Sequence, residues 1–168
     1  LLADLADLDQ VVAIGRELND QGEAIDGLLL NAGLQYAGHR QVRRSAQGVE
    51  LTIAVNHLAH QRLLMDLLPL LHQSAAPRVV ITASEVHNPA SGGGRVGRPA
   101  DLGDLSGLEQ RSEMVNGEPP FDADKAYKDS KLCNLLMGRH LARLQPQWPV
   151  ICWSPGLVIP RSRDGFFR

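Results

Sequence analysis

Three short apolar runs, each entered from a longer stretch with helical spacing, restrict this chain to few architectures. The runs are residues 26–30 (DGLLL), residues 78–83 (RVVITA) and residues 150–153 (VICW). Each is too short for a helix, is rich in leucine or β-branched residues, and is bounded by turn-forming residues. The stretches between them are helical in pattern. Residues 11–18 follow an acidic first turn, which suits a helix N-terminus. Residues 46–72 carry Leu51, Val55, Leu58, Leu63, Leu64, Leu67 and Leu68 on one side, and Pro69 is expected to kink or end that helix. Residues 122–144 form a third helical pattern. Strands that alternate with helices predict an α/β fold: a parallel sheet with helices on its faces. In such sheets ligands bind beyond the carboxyl ends of the strands. Those ends carry Asn31, Ala32 and Gly33 after the first strand, Ser84 after the second, and Pro155 and Gly156 after the third. One cleft is therefore expected to collect all three groups.

Composition narrows the function classes. With 168 residues the chain is long enough for one domain with a sizeable core. The net charge of −2 gives no basis for broad attraction to nucleic acid or an anionic membrane, and 4% aromatic residues leave little for base stacking. No apolar run approaches the ~18 residues of a membrane span. The acidic N-terminus, with Asp4, Asp7 and Asp9, lacks the basic region of a signal peptide. Cys133 and Cys152 make neither a disulfide framework nor a metal cluster. His57 and His60 lack further ligands at useful spacing, so no metal is expected. Residues 88–120 interrupt the alternation. They are rich in Gly and Pro, include SGGG at 91–94, and read as a flexible loop.

The most chemical stretch is FDADKAYKDSKLCN, residues 121–134. Tyr127 and Lys131 stand four residues apart, so a helix projects both from one face. A phenol beside a fixed ammonium can give up a proton and persist as an anion, because a nearby positive charge favours tyrosinate. Asn56 interrupts an otherwise apolar helix and needs a polar partner. Ser84, at a strand end, could donate to a substrate carbonyl. Cys133 follows Tyr127 by six residues, about 120° away around an ideal helix, so spacing alone does not put its thiol beside the tyrosine.

In their order along the chain, these residues resemble the short-chain dehydrogenase/reductase superfamily. The resemblance implies a Rossmann-type doubly wound parallel sheet. It implies that Asp4 and Leu5 contact the adenine, and that Asn31, Ala32 and Gly33 form the turn under the cofactor. Asn56, Ser84, Tyr127 and Lys131 match the catalytic tetrad, Tyr127 and Lys131 also meeting the cofactor. Pro155 and Gly156 match the turn beside the nicotinamide. Residues 100–109 (ADLGDLSGLE) and 121–134 look like the loop and catalytic helix of the light-dependent protochlorophyllide oxidoreductase family. That family implies NADP as cofactor, hydride from NADPH with a proton from Tyr127, an active-site role for Cys133, and a tetrapyrrole substrate.

Three departures accompany the resemblance. SEVH at residues 84–87 looks more like retinol-dehydrogenase-type members, which act on apolar alcohols or ketones. Pro160 stands where a threonine often follows the Pro-Gly turn. The family's first β-α-β unit, with its Gly-rich pyrophosphate turn, has no counterpart in the chain. Residues 1–168 are thus expected to be one partial Rossmann-type domain from a longer protein, truncated at both ends. Alone it is expected to be inactive and to bind NADP(H) weakly, or to serve as a silent binding remnant. The expected location is cytoplasmic, or peripheral at a photosynthetic membrane.

Overall fold

A computed structural model describes residues 1–156; Pro160 and its neighbours lie outside the described residues. Three parallel strands, β1 (Gly27–Leu30), β2 (Arg78–Thr82) and β3 (Val150–Trp153), lie in the order β1-β2-β3. Helix α1 (Leu8–Gln21) precedes β1. Between β1 and β2 run α2 (Leu51–Ile53), a π-helical turn (Ala54–Leu58) and α3 (Ala59–His72). Between β2 and β3 lie α4 (Ser106–Glu109) and the 22-residue α5 (Ala123–Leu144).

Local chemistry explains the helix ends. Asp7 caps α1 by accepting from the Asp9 N–H, and Gly22 closes it in the left-handed region at φ 70°. Asp122 caps α5 through the Asp124 and Lys125 N–H groups. Glu50 caps α2 through Thr52 and Ile53 and also takes the Tyr36 hydroxyl at 2.5 Å. This cap corrects the expected helix start at residue 46. Residues 44–50 instead turn back on themselves through an Arg44–Glu50 bridge, with Gly48 at φ 77°. Pro69 does not end its helix either. It sits in the last turn of α3, which continues to His72.

The helices pack against one face of the sheet. Leu30, Val79 and Ile81 point into a core shared with Leu64 and Leu71 of α3 and Leu141 of α5. The expectation of a buried first strand is corrected by the opposite face. Leu29, Val80 and Ile151 form one row across the sheet there, and Leu29 is 61% and Ile151 50% exposed. Successive right-handed crossovers that step in one direction across a sheet put every helix on the same side. Among the described residues nothing covers the other side.

Helix α5 approaches the sheet closely at Gly138. A Cβ there would stand 2.2 Å from Cys152 Sγ and 3.2 Å from Ile81 Cδ1. Gly138→Ala is expected to lower stability by about 1–3 kcal/mol, the usual cost of overpacking. Urea unfolding would show a lower midpoint with an unchanged slope.

Candidate active site

The site forms where the three strands end. Beyond β1, Asn31, Ala32 and Gly33 are exposed, and the chain is then gripped by Asn56. Asn56 is fully buried. Its Oδ1 accepts from the Leu34 N–H at 2.7 Å, and its Nδ2 donates to Leu34 O at 2.9 Å and Ser130 Oγ at 3.1 Å. It lies in the π-helical turn, a geometry found frequently at functional sites. One side chain thus ties the β1 turn to α5. Gly33 is held close: a Cβ would be 3.3 Å from Asn56 Oδ1 and 3.6 Å from Lys131 Nζ.

Beyond β2, half-buried Ser84 hydrogen-bonds the Tyr127 side chain. Lys131 is 3% exposed; its Nζ lies 5.3 Å from the Tyr127 ring centroid and donates to Thr82 O at 3.1 Å. Burial pushes the Tyr127 phenol above its ordinary value, and the Ser84 bond pulls it partly back. Burial also lowers Lys131 to about 8. This corrects the expected direction for Tyr127. Spacing puts the ammonium over the ring, but desolvation of the phenolate sets the direction, so the hydroxyl is held in its proton-donating form.

Beyond β3, Ser154 Oγ accepts from the Glu85 N–H at 3.3 Å and joins the third strand end to the Ser84 turn. Gly156, at φ 73°, lines a cleft of about 340 Å³ with Gln35, Ser84, Val86, Val96 and Tyr127. Pro155, beside it, is exposed. The strand-end rule therefore brings Ser84, Tyr127 and Gly156 to one cleft, with Lys131 and Asn56 behind it. Asn31 belongs to a neighbouring network: its Oδ1 accepts from Thr82 Oγ1 at 2.8 Å, and Thr82 Oγ1 accepts from Trp153 Nε1 at 3.1 Å.

Asp4 and Leu5 form the turn into α1, where the Asp4 carboxylate accepts from the Ala6 N–H at 2.8 Å. Helix α1 leads into the start of β1, so its own N-terminus points to the carboxyl edge of the sheet. Cys133 does not join the cleft. It is buried among Val49, Ile53, Ala54 and Val115, and burial pushes its thiol up to about 12, opposite to an activated thiolate. Its angular offset from Tyr127 turns it to another side of α5. Residues that sequence reading missed include Thr82, whose carbonyl positions Lys131, and Ser130, which links Tyr127 O to Asn56. A threonine inside the apolar RVVITA run was a signal for the hydroxyl that joins Asn31 to Trp153, whereas its carbonyl, common to every residue type, left none. Among the described residues no cluster suits a metal ion, and no helix is long and apolar enough to cross a membrane.

No family model matches the chain. It is 39% identical to a protochlorophyllide reductase of Avena sativa over 98% of its own length and 55% of that protein's. It is 30% identical to a protein of unassigned function from Mycobacterium paratuberculosis, with a TM-score of 0.66 over 91% of this chain and 48% of the other. It is 26% identical to a protein described as a short-chain dehydrogenase from Escherichia coli CFT073, complexed with NADPH. The TM-score there is 0.61 over 93% of this chain and 54% of the other. The chain spans about half the length of the curated relatives it matches. Sheet order, motif order and these likenesses agree: the chain is similar in sequence to protochlorophyllide reductases and in fold to short-chain dehydrogenases.

Proposed function

We propose that this chain supplies the catalytic half of an NADPH-dependent reductase that acts on a protochlorophyllide-like tetrapyrrole. The observation that carries this reading is the Ser84–Tyr127 hydrogen bond at the mouth of the cleft, with Lys131 directly behind the phenol ring. The residues fit a nicotinamide cofactor. The missing Cβ of Gly33 leaves room beside Lys131 Nζ and Asn56 Oδ1, and the strand ends open there. Gly33, Lys131 and Gly156 would hold it, and when bound it would supply the hydride.

The chain's own residues handle the proton. Ser84 orients the phenol, and burial keeps Tyr127 protonated until substrate draws the proton away. As negative charge develops on the phenolate oxygen, the Lys131 ammonium offsets it. Asn56 holds the turn and the helix in register, so this geometry is present before substrate arrives.

The test gives the protein at its natural length NADPH and protochlorophyllide, in light and in darkness, and follows the pigment's absorption spectrum. Reduction in the light alone supports the reading. A protein that binds NADPH and leaves the pigment unreduced in light, but oxidises an apolar alcohol in darkness when given NADP⁺ in place of NADPH, overturns it, in favour of a retinol-dehydrogenase-like activity.

A further inference from the structure

The lysine next to the catalytic tyrosine does something that neither the fold nor the reaction explains. Lys128 is 4% exposed, yet among the described residues no carboxylate pairs with it. Its Nζ instead donates to three backbone carbonyls, Gly94 O at 3.2 Å, Val96 O at 2.5 Å and Arg98 O at 3.0 Å. An ammonium has three donors, and all three are used. Burial of a cation is costly unless it is ligated in this way, so the arrangement is a built one.

All three carbonyls belong to the irregular segment that the sequence reads as a flexible loop. The structure gives it a defined path. Ser91 Oγ lies 2.9 Å from both Glu85 O and Asn88 O and accepts from the Gly94 N–H at 3.0 Å. Gly94 is buried, and a Cβ there would land 1.8 Å from Asn88 O. Farther along, Asp129 Oδ1 accepts from the Asp101 N–H at 2.8 Å, while Lys125 Nζ donates to Asp101 O at 2.7 Å. Lys125, Lys128 and Asp129 share one face of α5. Tyr127 faces the cleft from the adjoining side, and Gly93 and Val96 line that same cleft.

We propose that Lys128 is a positioning residue that staples residues 94–98 onto the catalytic helix, fixing Gly93 and Val96 as the substrate-facing wall of the cleft. The substrate part of this inference rests on the reductase reading; the staple does not. Each turn of the wall is set against Tyr127 by a single side chain one residue away in sequence. A substrate is thereby selected by how its apolar edge fits Val86 and Val96, while the proton donor stays unchanged.

Lys128→Met keeps the stem and removes the donors. In the protein at its natural length it is expected to speed tryptic cleavage after Arg95 by about 10-fold, since cleavage tracks the open population. The same change should raise KM for protochlorophyllide by about 10-fold, with kcat and the NADPH Kd within about twofold of wild type. Gly94→Ala, which displaces the wall from the loop side, should give the same split and decides the matter if Lys128→Met does not fold. Unchanged cleavage overturns the staple. Faster cleavage with an unchanged KM overturns the wall. A wild type that binds no NADPH defeats the reductase reading, and cleavage after Arg95 then upholds or overturns the staple by itself.

Discussion

Replacing Tyr127 with phenylalanine is expected to lower turnover by about 10²–10⁴-fold, the range that a positioned acid or base contributes. The ring is half-buried and packs beneath the Lys131 ammonium, so Tyr127→Phe keeps the packing and loses only the hydroxyl. Ser84 then loses its Tyr127 partner, but it remains half-exposed at the cleft and can bond water, so folding stability should change little. NADPH affinity should fall less than turnover, because Gly33, Lys131 and Gly156 are untouched and only the hydroxyl's contact with the cofactor is lost. The measurement is steady-state turnover beside a fluorescence titration with NADPH. Turnover within twofold of wild type would remove Tyr127 as the proton donor, whichever substrate the protein takes.

Much of this site was legible in the sequence because its geometry is set by short-range periodicity. A spacing of four residues puts Tyr127 and Lys131 on one helix face, and a parallel sheet had to bring residues 31–33, 84 and 155–156 to one edge. Asn56 was conspicuous as a polar residue in an apolar helix, and its burial with three hydrogen bonds is the partner set it required. What escaped depends on contacts distant in sequence. Leu29 reads as a core residue, but its exposure is decided by which sheet face the crossovers cover. Lys128 reads as a solvated lysine, because nothing local shows that three carbonyls 30 to 34 residues away will close around it. The direction of the Tyr127 shift was misjudged for a related reason: spacing reports the nearby charge and says nothing of desolvation.

Lys131→Met is expected to abolish most turnover and weaken NADPH binding while making the fold more stable at neutral pH. The activity loss follows from position: the ammonium lies over the Tyr127 ring and beside Gly33, so its removal takes away both the charge that offsets phenolate and a cofactor contact. The stability gain follows from burial. Lys131 is 3% exposed and titrates at about 8 rather than 10.5, with desolvation as the cause. That displacement corresponds to about 3 kcal/mol against the charged form at pH 7. Part of it is offset by the bond to Thr82 O, so the net gain from methionine should be about 1 kcal/mol. The pH dependence separates this account from a simple packing effect. Below about pH 8 both folded and unfolded chains hold the proton, and the penalty is fully present. Between about 8 and 10.5 the unfolded chain still holds it and the folded one does not, so wild-type stability gains with rising pH from this group. The Lys131→Met variant lacks that increment, and its advantage should shrink across the same window. Turnover of the wild type should fall as pH passes about 8, where the ammonium that steadies Tyr127 is lost. Urea unfolding of both proteins at pH 7 and pH 10 decides the stability claim. A variant that is less stable than wild type at pH 7, or whose difference from wild type does not change with pH, would show that Lys131 is held in the fold at no electrostatic cost.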